Sequence, residues 1–97
     1  MLRHVVMLRW SDAADAPAVQ AVEAALSAIP DQIDSIRAYR FGSDIGISEG
    51  NWDFVVVADF EDEAGYGKYR DHEAHHKAIA DFIKPILGER SAIQYQI

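Results

Sequence analysis

The chain has no cysteine among its 97 residues, so no disulfide braces it, and that absence fits a reducing compartment. Basic residues are scarce: nine Lys and Arg stand against sixteen Asp and Glu, for a formal net charge of −7. The few cations are scattered, which excludes the basic face that nucleic-acid phosphates require. No run approaches the ~20 apolar residues needed to span a bilayer. The opening Met1-Leu2-Arg3-His4-Val5-Val6 lacks the apolar core of a secretory signal, so a soluble cytoplasmic protein is expected. Repeats, low-complexity tracts, linkers and nucleotide-binding glycine motifs are also missing, and no cofactor is expected.

What remains is a single globular domain, residues 1–97, with 49% hydrophobic and 26% charged residues. So small a domain has little core of its own and gains from association. Leu2 to Trp10 alternates with period two and predicts a strand. Asp15 stands as N-cap and Pro17 inside the first turn of a helix whose Val19, Val22, Leu26 and Ile29 share a face. Pro30 is expected to end it. Strands are predicted over 33–41, 52–60 and 91–97. A weak helix containing Gly65 and Gly67 is expected from Asp62 to about Tyr69, and a better one from near His72 to Pro85. The order β-α-β-β-α-β predicts an α+β, ferredoxin-like fold: a four-stranded antiparallel sheet with the helices on one face.

The first and third strands suggest their own register. Arg3 opposite Asp59 and Arg9 opposite Asp53 put opposite charges at both ends, with Val5–Val57 and Met7–Val55 between them. On the other face the same register pairs Leu2 with Phe60, His4 with Ala58, Val6 with Val56, Leu8 with Phe54 and Trp10 with Trp52. This fully apolar face belongs under the helices. The centre formed by Val5, Met7, Val55 and Val57 has no third layer to cover it, which predicts a face-to-face homodimer, a dimeric α/β barrel.

His4 is the one polar side chain on the covered face of the first strand, and a single hydrogen bond would satisfy it as a structural residue. The other histidines lie in Tyr69-Arg70-Asp71-His72-Glu73-Ala74-His75-His76. His72 to His76 formally matches H-E-x-x-H, but no third ligand follows, so no metal site is expected. His75, Ile79, Phe82, Ile83 and Ile86 share one helical face, which aims His75 at the surface carrying His4, with Tyr69 within reach. His72 is expected in the helix's first turn, bonding a loop carbonyl. Two imidazoles and a phenol in one apolar pocket can move protons at carbonyl carbon.

These residues resemble the stress-responsive A/B-barrel (Dabb) family along nearly the whole chain. The resemblance rests on Arg3-His4-Val5-Val6-Met7-Leu8-Arg9-Trp10, on Ile29-Pro30, on Gly42-Ser43-Asp44-Ile45, and above all on Tyr69-Arg70-Asp71-His72-Glu73-Ala74-His75, similar to the family's Y-x-x-H-x-x-H run. Glu73 stands where the family often has proline. The resemblance implies a ferredoxin-like subunit and a face-to-face dimer. It also implies cofactor-free, polyketide-cyclase-like chemistry in some members, with His75 as general base, Tyr69 as its hydroxyl partner and His4 as a polar group on the first strand. The expected walls are Val6, Leu8, Phe54, Val56, Ala58, Ile79 and Phe82. Three functions stay open: a cofactor-free cyclase or lyase acting on a small carbonyl or polyketide-like molecule, a non-catalytic dimeric stress or small-molecule-binding protein, and a cofactor-free monooxygenase or isomerase.

Overall fold

A computed structural model describes all of residues 1–97. Strand β1 (Leu2–Trp10) leads to helix α1 (Ala16–Ser27), a short turn of helix α2 (Ile29–Gln32), and strands β2 (Ala38–Ser43) and β3 (Phe54–Phe60). Helices α3 (Glu63–Asp71) and α4 (Glu73–Ala78) follow, then strand β4 (Leu87–Gln96). The sheet order is β2-β3-β1-β4, all neighbours antiparallel, which is the ferredoxin-like arrangement. Val22, Leu26, Ile29, Ile83 and Ile86 meet Leu2, Val6, Leu8, Phe54, Val56 and Phe60 in one core between the helices and one face of the sheet.

Local chemistry explains the elements. The Asp15 side chain accepts from the Ala18 N–H at 2.9 Å and starts α1. Asp62 does the same for the Gly65 N–H at 2.9 Å, which anchors α3 despite its two glycines. Pro30 does not stop the chain's coiling as expected. It sits in the first turn of α2, where its missing N–H has no partner to lose. The second strand is later than expected, because Asp34-Ser35 turns and pairing with β3 starts only at Ala38. Ile33 and Ile36 lend the segment apolar, β-branched character, yet Ile33 packs into the core from a non-strand segment.

The register of β1 on β3 runs from Leu2–Phe60 through Arg3–Asp59, His4–Ala58 and Val5–Val57 to Leu8–Phe54, as the charge pattern predicts. Arg3 holds Asp59 through two parallel bonds of 2.8 and 2.9 Å, and this guanidinium keeps the Asp59 carboxyl below the usual carboxylate range. The last two expected pairs do not form. A bulge between Arg9 and Trp10 turns the strand. Asp53 instead accepts from the Trp10 N–H at 2.8 Å, and Arg9 lies 4.4 Å over the Trp52 ring with Glu89 3.5 Å away.

The bulge brings the Arg9 and Trp10 carbonyls to 3.0 and 3.1 Å from where a Cβ on Gly88 would sit. Gly88→Ala is therefore expected to destabilise the fold by about 1–3 kcal/mol through overpacking against backbone. A urea midpoint equal to wild type would show that the bulge relaxes freely.

Candidate functional site

The core face of β1 delivers one polar group, His4, into an otherwise apolar layer. It is 2% exposed. The Gln94 side-chain amide on β4 donates to His4 Nδ1 at 2.8 Å. An amide N–H only donates, so Nδ1 holds the lone pair and Nε2 carries the proton. Burial, aided by the charges of Arg90 and His75, lowers the His4 pKa from 6.5 to about 4. The ring is neutral at pH 7, with Nε2–H as a hydrogen-bond donor.

His75 has the opposite arrangement. The chain breaks between α3 and α4 at His72, whose ring Nδ1 accepts from the Ala74 N–H at 3.0 Å and caps α4. His72 is thus an acceptor for a helix N–H and not, as expected, a donor to a loop carbonyl. The cap fixes the phase of α4 and turns His75 inward, where its Nδ1 lies 3.2 Å from the Arg70 carbonyl oxygen. A carbonyl only accepts, so Nδ1 is protonated and Nε2 is left as a base. Burial lowers the His75 pKa below 6.5, partly countered by the Arg70 carbonyl.

Tyr69, at the end of α3 and 3% exposed, packs its ring 4.2 Å from that of His75 and 6.1 Å from that of His4. Its hydroxyl lies 3.5 Å from the Tyr39 hydroxyl on β2. Burial raises both phenols, so both stay protonated at physiological pH. His4, Tyr69 and His75 share the wall of a cavity of about 70 Å³. That space is far below the few hundred Å³ of a drug-sized site.

Of the expected apolar walls, Val6, Leu8, Val56 and Ile79 line this cavity. Three do not. Phe54 is buried at the far end of the sheet, 5.5 Å from the Trp10 ring and stacked 6.2 Å from Phe41. Ala58 is fully buried, and its β2 neighbour Tyr39 takes its place in the wall. Phe82 is 40% exposed. After Ala78 the helix widens into a π turn, Ile79–Ile83, followed by a 3₁₀ turn, Lys84–Ile86. A π turn takes more residues per revolution than an α turn, which swings Phe82 off the sheet while Ile83 stays on it. The sequence reading missed Tyr39, Tyr66, Arg90 and Gln94. Tyr66 packs 4.9 Å from the His4 ring. The alternation of Tyr39 and Phe41 on one strand face was the available signal for Tyr39. No three His, Asp or Glu side chains converge as metal ligands.

A neutral buried imidazole also sets acid stability. Unfolded, His4 binds a proton near its ordinary pKa of 6.5; folded, it binds one only near 4. Its contribution is complete above pH 6.5 and is lost as pH falls toward 4, about 3 kcal/mol in all. The lowered pKa of His75 acts in the same direction. The depressed carboxylates Asp59 and Asp71 lose their contribution only below their ordinary 3.8, outside that window. Between pH 7 and 4.5 the urea midpoint is expected to fall, and His4→Gln is expected to make that fall shallower. Parallel pH slopes in the two proteins would mean that His4 titrates normally.

The family model of the Stress responsive A/B Barrel Domain matches residues 2–97. The chain belongs to this family. Its fold superposes on a dimeric ferredoxin-like protein of unknown function from Thermobifida fusca with a TM-score of 0.93 and 41% identity, over 99% of this chain and 90% of that one. A Dabb family protein from Mesorhizobium loti gives a TM-score of 0.82 and 21% identity over 99% and 95% of the two chains. Hydroxynitrile lyase from Passiflora edulis gives 0.85 and 14% over 99% and 92%. No curated protein matches the sequence. No helix of this Dabb domain is long and apolar enough to cross a membrane.

Proposed function

We propose that this Dabb domain is a homodimeric, cofactor-free acid–base enzyme that makes or breaks bonds next to a small carbonyl group. The observation that carries the reading is the opposite locking of two neutral imidazoles beside one cavity: His75 with a free basic Nε2, His4 with a free Nε2–H. His75 Nε2 takes a proton from the carbon beside the carbonyl. The electron pair moves to the carbonyl oxygen, which accepts from His4 Nε2–H and the Tyr69 hydroxyl. The enolate then recovers a proton from the His75 imidazolium, or attacks a second carbonyl carbon whose oxygen takes that proton from the imidazolium. The lowered pKa keeps His75 a base in mildly acidic solution, and burial keeps water from competing for the oxyanion.

The lyase from Passiflora edulis shares the fold at 14% identity. The cavity size favours a substrate whose reacting end has only a few heavy atoms. The dimer would form through Val5, Met7, Val55 and Val57, joined by Ile93 and Tyr95 of β4 and by Ile45, an 81% exposed isoleucine on the loop before β3. These residues line or flank an open groove of about 600 Å³ on the sheet face away from the helices. The 41% identical Thermobifida fusca protein is dimeric.

The test is proton exchange. Small ketones and aldehydes are incubated with the protein in D2O and loss of the α-proton signal is followed by NMR. Catalysed exchange that disappears in His75→Ala supports the reading. Absence of exchange across the panel, or exchange unchanged in His75→Ala, rejects it.

A further inference from the structure

Strand β4 forms one edge of the sheet, and the side it shares with the core face of β1 is exposed and mostly polar. Opposite Leu8, His4 and Leu2 stand Arg90, Gln94 and Gln96. Gln94 is occupied with His4. Arg90 lines the cavity beside His4, Tyr69 and His75, and its guanidinium makes no ion pair and no hydrogen bond with the protein. The adjacent Glu89 does not serve it. Glu89 alternates to the other side of the strand and lies 3.5 Å from Arg9. In a chain of net charge −7 an unpaired cation at a cavity wall is a local attractor for anions.

We infer that the substrate is a small oxo-carboxylate, whose carboxylate pairs with the Arg90 guanidinium at the rim while its carbonyl faces His4, Tyr69 and His75. The inference rests on the acid–base reading of the cavity and adds the charge class of the molecule that enters it. Both histidines in the wall are neutral, so no other fixed positive charge in the cavity competes for the carboxylate. The planar guanidinium offers the two parallel N–H bonds that a carboxylate accepts. Arg90 lowers the pKa of both His4 and His75, which keeps them uncharged when the anion arrives.

The probes are 2-oxobutanoate and its neutral isostere 2,3-pentanedione, whose methylene protons exchange by the same step. Wild-type protein is expected to exchange the oxo acid with the higher kcat/KM. Arg90→Gln is expected to lower kcat/KM for the oxo acid by about 10- to 100-fold while changing that for the diketone by less than about twofold. Arg90→Lys should fall between, since a point charge keeps the attraction but not the fork. His75-dependent exchange of the diketone with no preference for the oxo acid would overturn the charge assignment and leave the acid–base reading standing. Equal losses on both probes in Arg90→Gln would also overturn it. Binding is read separately by NMR titration of the Gln94 amide and His4 ring signals. A saturable 2-oxobutanoate shift weakened at least about 10-fold in Arg90→Gln supports the assignment even without turnover. No saturable shift, or one indifferent to the substitution, refutes it.

Discussion

His75→Ala is expected to lower catalysed proton exchange by about 10²- to 10⁴-fold, the range that a positioned general base contributes. The loss should appear in kcat more than in KM, because the carboxylate-binding and oxyanion-binding groups stay in place. Stability should change little by comparison, since the imidazole makes one long bond of 3.2 Å to a carbonyl and is only half-buried. The pH profile supplies an independent sign. With the His75 pKa held below 6.5 by burial, kcat/KM should rise through a midpoint below 6.5 and then level off. A midpoint at or above 6.5, with activity surviving His75→Ala, would assign the proton to another group.

Val5→Asp is expected to dissociate the dimer. Val5 lies at the centre of the outer sheet face, paired with Val57 on one side and Ile93 on the other. In a single subunit it is half-exposed, so an aspartate there keeps its water and the fold should survive. In a face-to-face dimer the same carboxylate would be buried among apolar side chains with no partner, at a cost of about 3–5 kcal/mol per charge. Dimer affinity should therefore fall by at least about 100-fold, read by sedimentation at concentrations where the wild type is dimeric, with circular dichroism confirming the fold. A variant that stays as dimeric as wild type would move the interface elsewhere.

The fold was legible where charge and hydrophobic period agreed. Arg3 and Asp59 at one end of an apolar run fixed the β1–β3 register, and the inner and outer faces followed from it. The site was legible in part for the same reason. His4 stood out as a polar residue on an apolar face, and His75 fell on the helical stripe that packs against it. Edge strands were harder to read. β4 carries exposed polar residues on the side it shares with the core face of β1, so the sequence did not show that Gln94 would bond His4 or that Arg90 would stand at the cavity rim. Phe82 was misplaced because its local sequence fits an α-helix, and only packing selects the π turn that keeps Ile83 on the sheet and leaves Phe82 outside. The bulge at Arg9 and Trp10 has the same origin, since Gly88 and Asp53, distant in sequence, accommodate it together.

The central claim is that two neutral imidazoles present opposite faces to one cavity. Nitrogen-15 NMR of the histidine rings across a pH titration tests it most directly. The account predicts His75 protonated at Nδ1, His4 protonated at Nε2, both neutral at pH 7, with His4 titrating near 4 and His75 below 6.5. The same tautomer at both rings, or either ring charged at pH 7, would contradict it.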